Sequence, residues 1–123
     1  MLQKLFTYQP KIQPHLKSNV QTITPVELQQ RLAQNEDLVL VDVRSPAEFA
    51  YDGHIANSRL LPLPQLRQRS NELSKDKPIV CICRSGNRSQ AACEQLAALG
   101  YTDTINLVGG MISWRQANLP TQF

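Results

Sequence analysis

One stretch near the middle of the chain constrains the fold more than any other. The apolar run Pro78-Ile79-Val80-Cys81-Ile82 passes into six loop residues, Cys83-Arg84-Ser85-Gly86-Asn87-Arg88, and then into the helix-like stretch from Ser89 to Leu99. A short, continuous apolar run of this kind suits a strand covered on both faces of a sheet. Ala92, Cys93, Leu96 and Leu99 recur at helical spacing and predict the buried face of the following helix, which stops at Gly100. A strand that feeds a helix through a short loop is the repeating unit of α/β folds.

The rest of the chain keeps the same alternation. Val20-Gln21-Thr22-Ile23 reads as a first strand, and Thr24-Pro25-Val26-Glu27 is a capping box with proline at the first helical position, opening a helix to about Ala33. Leu38-Val39-Leu40-Val41 is a second strand, and Ser45-Pro46-Ala47-Glu48 repeats the capping-box signal before a short helix. Ser58 to Leu61 reads as a short strand, Pro64 to about Ser70 as a short helix, and Thr104 to Leu107 as the last strand. A helix from about Met111 to Ala117 closes the domain before Pro120. The expected fold is α/β, with a central parallel sheet of about five strands and helices on both faces.

Residues 20–123 read as one domain, and residues 1–19 as a polar extension carrying Pro10, Pro14 and an unassigned His15. That segment lacks the apolar core of a signal peptide, and the chain contains no run of the ~18 apolar residues that a membrane span needs. A hydrophobic share of 41% with 19% charged residues suits a globular domain able to bury a core without staples. A net charge of +3 with no Lys/Arg run argues against nucleic-acid or membrane-surface partners. Three cysteines cannot all pair within one chain, and Cys81 and Cys83 lie too close to form a staple, so a reducing, cytoplasmic setting is expected.

The loop after the central strand holds the chemistry. A cysteine there faces backbone N–H donors and the positive end of a helix dipole, which together favour the thiolate. Gly86 supplies the backbone freedom a ring-shaped loop needs if its amides are to point at one centre. Arg84 and Arg88 add positive charge beside Cys83. Gly-Asn is also an ordinary turn dipeptide, so the plainer and less favoured reading is a strand-to-helix turn with an incidental cysteine. In parallel sheets ligands bind beyond the carboxyl ends of the strands, where Asp42, Arg44, Arg59, Cys83 and the Gly109-Gly110 pair are expected to gather.

Cys83 to Ser89, C-R-S-G-N-R-S, resembles the active-site loop of the rhodanese (thiosulfate sulfurtransferase) family. Val41 to Phe49 with Gly53-His54-Ile55 resembles the family's upstream signature, and Leu107 to Trp114 its C-terminal one. The resemblance implies a rhodanese-like fold and a sulfurtransferase in which Cys83 takes a sulfane sulfur from thiosulfate or a persulfide. Acceptors would be cyanide or thiols such as glutathione or thioredoxin, with no metal or organic cofactor. It makes Arg84, Ser85, Gly86, Asn87, Arg88 and Ser89 the sulfur-binding loop, with Asp42, Arg44 and Arg59 in support. Neutral Ser85 departs from thiosulfate-selective members, which carry a cation at mid-loop.

Other readings remain at this point. Asp42 suits hydrogen bonds from loop amides and Arg44 a carboxylate such as Glu48, both as scaffold. His54 reads as a turn residue, Trp114 as core, and Cys81 and Cys93 as small apolar fillers, with Cys93 a less favoured resolving thiol. A Cdc25-like phosphatase or arsenate reductase would place five residues between cysteine and arginine, whereas Cys83 and Arg88 enclose four. A persulfide carrier or a rhodanese-like interaction module is the non-enzyme alternative, and the presence of Cys83 speaks against the module.

Overall fold

The computed structural model describes residues 20–123; the expectations for residues 1–19 lie outside it. Five strands form one sheet in the order β1-β5-β4-β2-β3. They are β1 (Val20–Ile23), β2 (Val39–Asp42), β3 (Arg59–Leu60), β4 (Ile79–Ile82) and β5 (Thr104–Leu107). Every pairing is parallel, with Val41 opposite Cys81 and Cys81 opposite Asn106 across the centre. The helices are α1 (Pro25–Ala33), α2 (Pro46–Tyr51), α3 (Leu66–Arg69), α4 (Asn87–Ala98) and α5 (Gly110–Gln116).

The two-residue period of β4 divides the core. Ile79 and Cys81 join Val41, Leu66, Ala92, Cys93 and Leu96 on the α3/α4 face. Val80 and Ile82 join Leu28, Ile105, Met111 and Trp114 on the α1/α5 face. All four residues of β4 are buried, which explains why its sequence is apolar without alternation.

Both capping boxes form. Thr24 and Ser45 accept from the backbone of Glu27 and Glu48, whose side chains reach back to the cap amides. Each such cap contributes about 1 kcal/mol to its helix.

Several boundaries differ from the sequence expectation. Strand β2 runs one residue later, through Asp42, because Arg44 neutralises that carboxylate inside the fold. Helix α4 starts at Asn87 rather than Ser89, since left-handed Gly86 (φ 105°) is its cap. It ends at Ala98, and Leu99 is 37% exposed rather than part of the buried face. The expected single helix from Pro64 to Ser70 is a 3-10 turn, the short α3 and a second 3-10 turn. No side chain caps these pieces, and the Tyr101 hydroxyl instead meets the Ser70 and Leu73 carbonyls.

Candidate active site

The carboxyl ends of β2, β4 and β5 converge on the loop that follows β4. Strand β4 delivers Cys83, and Val43 N–H donates to the Ile82 carbonyl to extend the neighbouring strand. The start of α5 is tied to the same loop: Met111 N–H donates to Cys83 O at 2.9 Å and Ile112 N–H to Arg84 O at 3.0 Å.

Gly110 makes this approach possible. A Cβ there would lie 2.4 Å from Cys83 O and 2.6 Å from the Arg84 carbonyl carbon, and its φ is +56°. Backbone cannot yield to such a contact, so the second glycine of the pair is fixed by the loop it supports.

Cys83 is buried, and the loop closes around its sulfur. Gly86 N–H donates to Sγ at 3.0 Å, and the Ser89 hydroxyl lies 3.2 Å away. Burial pushes the Cys83 thiol up, but the Ser89 hydroxyl and the amides of Ser89, Gly86 and Ser85 outweigh it and hold the group below its ordinary value. Dipoles aimed at the sulfur lead in stabilising the thiolate, and Arg88 adds a coulombic attraction to it.

The other cysteines behave differently. The hydrogen bond with Cys93, then burial, pushes Cys81 well up, which suits an inert core thiol. Cys93 is fully buried on α4, and all three cysteines are free.

Arg88 is held by a fork. Its two terminal nitrogens donate to the two Glu48 oxygens, both at 2.8 Å, bridging the start of α4 to α2. The Arg88 hydrogen bonds lead in drawing the Glu48 carboxyl down to about 2. Arg84, Ser85 and Asn87 are exposed at the loop surface. Among the described residues no carboxylate forms an ion pair with Arg84.

The three supporting residues separate into two groups. Asp42 and Arg44 pair with each other and are fully buried, with Arg44 also donating to Gly53 O. Asp42 accepts the Arg44 amide, so the loop-amide reading holds in part, but Glu48 is the partner of Arg88 and not of Arg44. Arg59 opens β3 rather than following a strand end. It pairs with exposed Glu72 and does not join the loop. His54 stacks on Phe49, and its Nδ1 meets Phe49 O, a turn-stabilising role.

Sequence reasoning missed Asn106. Its side chain reaches Ser89, Gly86 and Gln90, and so ties β5 to the loop and to α4. A polar residue of low strand propensity set between Ile105 and Leu107 in a fully buried strand was the available signal.

Comparison with known proteins gives the family. The rhodanese-like domain model matches residues 24–117, and this chain belongs to the rhodanese family. A protein named sulfurtransferase from Allochromatium vinosum is 45% identical over 101 residues, covering 82% of this chain and 94% of that protein. The uncharacterized protein slr1261 of Synechocystis is 43% identical over 81% of this chain, which spans only 55% of that relative. The crystal structure of a rhodanese-related protein from Thermoplasma volcanium superposes with a TM-score of 0.74 at 35% identity, covering 82% of this chain and 96% of that one.

Proposed function

We propose that this protein is a sulfurtransferase that works through a persulfide on Cys83. The observation that carries the reading is a buried sulfur at the carboxyl end of the central strand, with amide and hydroxyl donors converging on it. Family membership and the sulfurtransferase name of the Allochromatium relative support it.

In the first half-reaction the Cys83 thiolate attacks the outer sulfur of a donor. A Cys83 S–S bond forms, the donor S–S bond breaks, and the electron pair leaves on the donor remnant: sulfite from thiosulfate, or a thiolate from an organic persulfide. In the second, an acceptor thiolate or cyanide attacks the outer sulfur. The new persulfide or thiocyanate departs, and the electron pair of the broken bond returns to Cys83 as thiolate. This is covalent catalysis with ping-pong kinetics. The loop amides supply the charge stabilisation, so the reading requires no metal or organic cofactor.

Charge at the mouth favours a monoanionic donor. Ser85 is neutral and Glu48 balances Arg88, which leaves Arg84 as the loop cation with no ion-pair partner among the described residues. Beside Arg88 opens a recess of about 370 Å³ walled by Val43, Pro46, Pro62, Leu63 and Pro64. Such a wall suits the carbon body of a low-molecular-weight organic persulfide better than a sulfonate head. Thiols such as glutathione or thioredoxin are the acceptors in this reading. A reducing, cytoplasmic location fits that chemistry, and no helix among the described residues is long and apolar enough to cross a membrane.

The test compares thiocyanate formation from thiosulfate and from an organic persulfide, each with cyanide as acceptor. The reading expects turnover with both, a higher kcat/KM for the persulfide, and none in Cys83→Ser. Activity retained in Cys83→Ser would overturn it.

A further inference from the structure

Ser89 carries a single hydroxyl proton but has two partners that can receive it. Its oxygen lies 3.2 Å from Cys83 Sγ and 2.5 Å from Asn106 Oδ1. The far side of Asn106 fixes which atom faces Ser89, because Nδ2 donates to the Gly86 carbonyl at 3.2 Å and to Gln90 Oε1 at 3.2 Å. A backbone carbonyl only accepts, so Oδ1 must face the hydroxyl. Ser89 is fully buried and Asn106 is 7% exposed, so bulk water does not substitute for either bond.

We propose that Asn106 is a positioning residue that, with Ser89, forms a two-position hydroxyl switch on Cys83. With a thiol, Sγ–H donates to Ser89 Oγ, and Ser89 O–H donates to Asn106 Oδ1. With a thiolate, the hydroxyl turns to donate to sulfur, and Asn106 Oδ1 gives up that bond. With a persulfide, charge moves to the outer sulfur and the hydroxyl returns to Asn106. The Ser89 proton stays on its oxygen throughout, and only its direction changes.

The consequence for the reaction is differential. Acceptor attack on the outer sulfur breaks the S–S bond and places the electron pair on Sγ, so the hydroxyl donates to Sγ as charge arrives there. It withdraws when the next donor removes that charge. An interaction stronger in the charge-bearing state than in the resting persulfide accelerates expulsion of Cys83. Asn106 acts in the opposite sense at rest, adding one hydrogen bond to the neutral form and keeping the thiolate from being overstabilised.

Other groups that bear on Cys83 sit apart from this pair. Arg88 at the start of α4 is forked to Glu48 of α2, Arg84 is exposed on the loop, and Asp42 and Arg44 pair beyond β2. Cys81 of β4 and Cys93 of α4 are free thiols buried in the core on one face of the sheet. None of these bonds Ser89 or Asn106 among the described residues, so the switch is separable by mutation.

The inference rests on the proposed function only in taking Cys83 as the group whose charge changes. The experiment follows iodoacetamide alkylation of Cys83 against pH in a Cys81→Ser/Cys93→Ser background, with Ser89→Ala, Asn106→Ala and both together. Ser89→Ala should raise the midpoint, and Asn106→Ala should lower it by about half to one pH unit, the worth of one net hydrogen bond. In the Ser89→Ala background Asn106→Ala should have no effect. A raised midpoint in Asn106→Ala, or an equal effect with and without Ser89, would overturn the switch. Should Asn106→Ala fail to fold, an unchanged midpoint in Ser89→Ala alone overturns it. These titrations do not depend on turnover, whereas absence of a Cys83 persulfide under any donor would refute the sulfurtransferase and leave the switch standing.

Discussion

Replacing Glu48 with glutamine removes one charge and one of the two acceptors of the Arg88 fork, but it keeps the helix cap, because glutamine also serves in a capping box at the third helical position. The Ser45 cap should therefore survive while the Arg88 fork loses its ionic part. The Glu48 carboxyl falls from an ordinary 4.5 to about 2, with the Arg88 hydrogen bonds as the largest cause. Taken at face value, that displacement is worth about 3 kcal/mol. Arg88 is 40% exposed and Glu48 25%, so solvent screens the pair, and about 1–2 kcal/mol is the expected loss at pH 7. A carboxylate lowered in the folded state stabilises it above the unfolded value, and that contribution fades as pH falls through the folded value. In urea unfolding, the gap between wild type and Glu48→Gln should be constant above about pH 5, shrink below 4.5 and close near 2. A gap that is the same at pH 7 and near pH 2 would refute the ion-pair account.

Other outcomes follow from the same contacts. Asp42→Ala leaves the Arg44 guanidinium buried without its partner and should cost about 3–5 kcal/mol, read as a fall in thermal midpoint. Gly110→Ala drives a methyl group into the Cys83 and Arg84 backbone and should cost more than about 2 kcal/mol, together with most of the sulfur transfer. Cys81→Ser and Cys93→Ser should keep much of the activity, and comparable loss in a folded Cys93→Ser would mean a two-thiol mechanism. Wild-type protein should not hydrolyse an aryl phosphate appreciably, since the ring between Cys83 and Arg88 is short for three phosphate oxygens.

Local signals exposed much of the fold because they act over a few residues. Thr24 with Glu27 and Ser45 with Glu48 announce two helices by side-chain chemistry that needs no tertiary context, and both boxes form. Apolar runs such as Ile79 to Ile82 announce strands buried on both faces. What the sequence concealed depends on distant partners. Glu48, four residues from Arg44, is the carboxylate that sequence proximity offers it, yet Glu48 meets Arg88 once α2 and α4 are placed and Arg44 pairs with Asp42. Arg59 joins Glu72 rather than the loop for the same reason. Cys83 and its loop were legible through a compact motif, while Asn106 lies seventeen residues from Ser89 and meets it only where α4 packs on β5.

Intact-mass measurement after incubation with a persulfide donor tests the central claim most directly. The account predicts the addition of one sulfur atom, mapped to Cys83, removable by dithiothreitol or, as thiocyanate, by cyanide, and absent in Cys83→Ser. No added sulfur under any donor, together with robust Cys83-dependent hydrolysis of an aryl phosphate, would contradict it.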